Sequence, residues 1–154
     1  MTTKNIPECP GFVTKLSSDT QTAFRKIWKD IALNRSGIAA AKARLSVYSV
    51  SAADACNKNE FLDHDVCQVL IESCEKILIL ASESDDPIFV SAALSTADYF
   101  MCIDDSEPDF EGIGSWDDDA TVMIAFVRHF DLIEKIPLDA INLLSTKYPE
   151  AFHE

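Results

Sequence analysis

Apolar side chains return every three or four positions along most of this chain, the spacing that lines one face of a helix, so the pattern predicts helices almost everywhere. Ser17, Ser18 and Asp19 are candidate caps for a first helix. In it Phe24, Ile27, Trp28 and Ile31 recur at helical spacing, Arg25, Lys26 and Lys29 face outward, and the end falls near Asn34. After Ser36-Gly37 an alanine-rich stretch runs through Ile38, Ala41, Leu45, Tyr48 and Ala52 to about Asn57-Lys58-Asn59, with small residues that let another helix approach closely. Asp63 or Asp65 opens a third helix whose apolar face carries Val66, Val69, Leu70, Cys74, Ile77, Leu78 and Ala81. Pro87, behind Asp85-Asp86, suits the first turn of a fourth helix reaching about Cys102. Asp117 to Asp119 then stand at the start of a fifth helix, with Val122, Met123, Phe126, Val127, Phe130 and Ile133 inward. A last helix is expected from Pro137 to just before Pro149. Residues 1–15, ahead of the first helix, are expected to be irregular.

The resulting expectation is an all-α, single-domain bundle of five to six helices spanning residues 1–154, with an acidic loop at 103–119 between the fourth and fifth. At 154 residues, 47% apolar and with four glycines, the chain suits one globular domain with one core. The longest nearly apolar stretch, 88–103, is interrupted by Asp98 and falls short of the ~20 residues a membrane-spanning helix needs. The first residues show no export signal, so a cytoplasmic location is expected. The five cysteines (Cys9, Cys56, Cys67, Cys74 and Cys102) are odd in number and have no C-x-x-C spacing. They are expected to be reduced, mostly buried small apolar residues.

Charge changes the picture most. The formal charge of −13 disfavours nucleic acid and anionic membranes as partners and favours cations or basic proteins. Residues 1–60 carry nine Lys/Arg against five Asp/Glu, whereas residues 77–127 carry twelve acids and no base. The basic N-terminal helices are therefore expected to lie near the acidic segment and partly neutralise it.

Within that segment, Tyr99-Phe100, Asp105, Pro108-Asp109-Phe110, the Gly-containing turn before Trp116, and Asp118-Asp119-Ala120 resemble the signature of the YkvA-like family of small bacterial helical domains. The resemblance covers about residues 93–130. Ile103, Ser106-Glu107 and Gly112 depart from the family's pattern, and a shift of one residue would make Asp117-Asp118 the matching pair. It implies a helical hairpin around an acidic loop and brings no activity, because none is assigned to the family.

Three uses of the acidic loop follow from its residue types. Asp118 or Asp119 can accept backbone N–H bonds at a helix start, with Asp105 and Asp109 bracing the loop and Pro108 fixing its turn. Asp105, Asp109 and one of Asp117, Asp118 and Asp119 can hold a hard divalent cation, calcium or magnesium, although the spacing lacks the glycine and closing glutamate of the familiar calcium loop. Alternatively, Glu107 and Glu111 can attract a basic protein partner while Phe110 and Trp116 serve as apolar anchors.

No catalytic residue is nominated. Gly11, Gly37, Gly112 and Gly114 form no phosphate-binding pattern, and neither the cysteines nor His64, His129 and His153 sit in a recognisable catalytic motif. Metal-assisted hydrolysis is the one enzyme class the carboxylates leave open. The preferred expectation is a non-enzymatic binding or regulatory module, without a cofactor, whose acidic loop engages a basic partner. The alternative is a divalent-cation domain.

Overall fold

Six consecutive buried residues, Ala92 to Ala97, lie in the middle of one helix and set the architecture. At 100° per residue such a run covers every side of a helix, so this element must be surrounded. In the computed structural model, which describes residues 8–34, 37–60, 62–101 and 116–152 (without the side chains of 32–34 and 152), it is the fourth of seven α-helices. These are α1 (Ser18–Asn34), α2 (Ile38–Lys58), α3 (His64–Ser82), α4 (Pro87–Met101), α5 (Asp117–His129), α6 (Leu138–Lys147) and α7 (Pro149–Phe152). Short 3-10 helices occupy Gly11–Lys15 and Ile133–Lys135, and the described residues contain no strand. α4 packs against α1, α2, α3 and α5, while α3 in turn touches α2, α5 and α6. Small side chains at Ala92, Ala93, Ser95 and Ala97 make that crowding possible.

The six expected helices are present, and their ends have local causes. Ser17 Oγ accepts the Thr20 N–H at 3.3 Å and so starts α1. Asp63 accepts the Val66 N–H at 3.1 Å at the head of α3. Asp86 accepts the Ile88 N–H at 3.0 Å at the start of α4.

Two expectations need correction. Residues 1–7 lie outside the described residues, and the rest of the N-terminal segment is not simply irregular. Phe12 and Val13 on the 3-10 turn, followed by Leu16, are buried in the main core. The fifth helix also stops earlier than the apolar period suggests. Asp131 adopts a positive φ of 56°, the chain turns, and Ile133 is left exposed while Phe130 is half-buried. The short helix α7, which begins at Pro149, is an addition to the predicted set.

Asp63 does more than cap. Its second carboxylate oxygen pairs with Lys147 of α6, joining the starts and ends of two helices far apart in sequence. Burial acts to raise the Asp63 pKa, but the hydrogen bonds from Lys147 and Val66 outweigh it and leave the carboxyl below its ordinary 3.8. A lowered folded pKa means a contribution that is complete above the unfolded value and lost as pH falls through the folded one. Asp63→Ala is therefore expected to cost about 1 kcal/mol at neutral pH. In urea denaturation the difference from the parent should shrink as pH falls below 3.8, and a cost independent of pH would refute the assignment.

Candidate functional site

In sequence the acidic segment joins the end of α4 to the start of α5, and a described residue on each side of it meets one side chain. Tyr48 lies on the inward face of α2, four residues short of Ala52 and three beyond Leu45, which buries its ring. That ring stands 4.8 Å from the ring of Phe100 in the last turn of α4. Its hydroxyl accepts the indole N–H of Trp116, the residue just before α5, at 3.0 Å.

This geometry corrects one expectation. Trp116 is 1% exposed and so cannot serve as an accessible anchor for a partner. Burying a large ring whose N–H has a partner removes far more apolar area from water than leaving it on the surface. Phe110, Glu107 and Glu111, and the proposed cation ligands Asp105 and Asp109, lie outside the described residues.

The three aspartates at the start of α5 have different surroundings, although all three suit the positive end of the helix dipole. Asp117 is exposed and accepts the Tyr148 hydroxyl at 2.6 Å. Burial first, and then the bond to Asp117, hold the Tyr148 pKa well above that of an ordinary tyrosine. Asp118 is exposed, whereas Asp119 is buried near Cys74 of α3. Burial, reinforced by the Asp119 charge, pushes the Cys74 thiol upward, which makes it a poor nucleophile. Among the described residues, Cys9, Cys56, Cys67 and Cys74 are free thiols, and no three His, Cys, Asp or Glu side chains cluster in a way that could hold a metal.

The anticipated compensation by the basic N-terminal helices is visible at one edge of the site. Arg44 of α2 meets Asp98 of α4 at 2.7 Å. Partial exposure of both side chains limits what this pair contributes to stability.

No family model, curated protein or solved structure matches this chain. The site must therefore be read from its own residues. Among the described helices none is long and apolar enough to cross a membrane. His64 is exposed at the start of α3, as its acidic neighbours suggest, and His129 is exposed at the end of α5. Sequence reasoning missed Tyr48 as the residue that joins both ends of the acidic segment. It was visible only as one more apolar position on α2, and nothing in the linear pattern links it to Trp116, 68 residues away. The buried N-terminal turn did carry a usable signal, since Phe12, Val13 and Leu16 stand three and four apart.

Proposed function

We propose that this protein is a non-enzymatic binding module whose acidic α4–α5 segment engages a basic protein partner. The observation that carries the reading is the junction on Tyr48. Phe100 and Trp116 are fixed to the core at a common point, and the fourteen residues at 102–115 between them carry Asp104, Asp105, Glu107, Asp109 and Glu111 and no base. Exposed Asp117 and Asp118 add charge at the same end of the bundle. A concentration of one sign of charge attracts and orients an oppositely charged protein before contact, and an apolar side chain within it slows dissociation. Glu107 and Glu111 supply the charge in this reading, and Phe110 supplies the anchor. The resemblance to the YkvA-like family supports the same hairpin and adds no activity to it.

The test compares capture of partners by the parent protein, by Phe110→Ser, and by a combined Glu107→Gln, Asp109→Asn, Glu111→Gln variant. A discrete basic partner should bind the parent, be lost from both variants, and be released at high salt. Capture that survives both variants would refute the proposal. The cation alternative is separated by thermal melts of chelated protein with calcium or magnesium restored at fixed ionic strength. An ion at about a hundred times its dissociation constant should contribute ~2.7 kcal/mol. Loss of such an ion-specific rise in Asp109→Asn would replace the docking reading with a metal site.

A further inference from the structure

A cleft of about 400 Å³ opens between the Gly11–Lys15 turn, α5 and α7. Its floor is apolar, formed by Phe12, Leu16 and Ala125, and its polar wall carries Lys15, Arg128 and His129. No described carboxylate lines it, in a chain that carries 26 acids against 13 bases. The wall is held in place by the fold. Arg128 Nη1–H donates to the Ala151 carbonyl at 2.9 Å, which sets the guanidinium between α5 and α7. The His129 ring lies 5.4 Å from Phe12 and stands edge-on to Phe130 at 4.8 Å, which confines the imidazole.

We propose that this cleft binds a small organic anion, with its oxyanion head against Lys15, Arg128 and His129 and a ring-sized apolar body over Phe12 and Ala125. The volume falls at the lower end of the range for small-molecule sites, about 300–1,000 Å³, and the mix of apolar lining with a few convergent polar groups is what such sites present. Guanidinium and ammonium groups form the strong, charge-assisted bonds that phosphate and carboxylate oxygens accept. The helix dipole accounts for basic residues in the last turn of α5. It does not account for Lys15, which comes from a separate element and lines the same space. The protein's overall negative charge does not forbid the site. Arg128 and Asp117 stand eleven residues apart on α5, about 16 Å along its axis. That is roughly two screening lengths at physiological salt, each about 8 Å.

The experiment titrates the full chain with phenyl phosphate, benzoate, inorganic phosphate and benzyl alcohol while recording amide shifts by NMR. Phenyl phosphate or benzoate is expected to give saturable shifts at Phe12, Lys15, Ala125 and His129, and the tighter of the two identifies the head group. Inorganic phosphate should bind more weakly, and benzyl alcohol should not bind at all. Lys15→Gln and His129→Gln should each weaken binding about tenfold, with the melting temperature nearly unchanged in Lys15→Gln, whose side chain is exposed, and slightly lowered in His129→Gln, which loses the ring contacts with Phe12 and Phe130. Three results would overturn the proposal: no saturable shift from either aromatic anion, equal binding of benzyl alcohol or of inorganic phosphate, or affinities unchanged in both variants.

Discussion

Trp116→Ala is expected to destabilise the protein by about 4 kcal/mol, the usual cost of emptying a large aromatic site in a core. The side chain is 1% exposed, and its N–H is bonded to Tyr48. Truncation would remove the packing and take away the donor that reaches the Tyr48 hydroxyl. In a domain of this size the loss should lower the melting temperature by about 10 °C, out of a total stability of roughly 5–15 kcal/mol. Tyr48→Phe isolates the hydrogen bond and should cost only about 1 kcal/mol, because the ring that packs on Phe100 stays. Urea denaturation followed by circular dichroism measures both. A loss below ~0.5 kcal/mol for Trp116→Ala would mean that the indole is at the surface, and would restore it as a candidate partner anchor. The pair of variants also bears on the docking proposal, because loosening the base of the acidic segment in Tyr48→Phe should weaken partner capture while leaving the charge unchanged.

The next largest effect is expected at Phe12. This ring is 3% exposed and meets Phe24, Phe126 and Phe130 edge-on, with ring centres 5.7, 6.2 and 6.4 Å away. Edge-to-face pairs at these distances contribute beyond the area they bury. Phe12→Ala should therefore cost about 3 kcal/mol, and Phe12→Leu, which keeps most of the volume, about 1 kcal/mol. If the Gly11–Lys15 turn merely rested on the bundle as a frayed end, Phe12→Ala would cost under ~0.5 kcal/mol in the same denaturation experiment.

Helix content was legible in the sequence because its signals are local. A three-to-four spacing such as Phe24, Ile27, Trp28 and Ile31 states which face of α1 is apolar, and Ser17, Asp63 and Asp86 announce helix starts by bonds that reach only two or three residues. The helix ends were less secure. The apolar period continues through Phe130 to Ile133, and only the backbone turn at Asp131 shows that the helix has already stopped.

For the candidate site, the sequence alone determined the charge: which segment is acidic, that it joins α4 to α5, and that no base lies between 77 and 127. Tertiary structure decided which way the flanking residues face. Trp116 precedes the first turn of α5, so the helical period assigns it no side, and its burial depends on Tyr48 of α2 being there to receive the indole N–H. Asp118 and Asp119 are identical neighbours in sequence, yet a 100° step sends one to solvent and the other into the core beside Cys74. The cleft shows the same division. Lys15 and the Arg128-His129 pair come from opposite ends of the chain, and only the packing of the N-terminal turn on α5 makes them neighbours. Periodicity and capping are one-dimensional and can be read along the chain. Which faces meet depends on contacts between distant segments, and those exist only once the helices have packed.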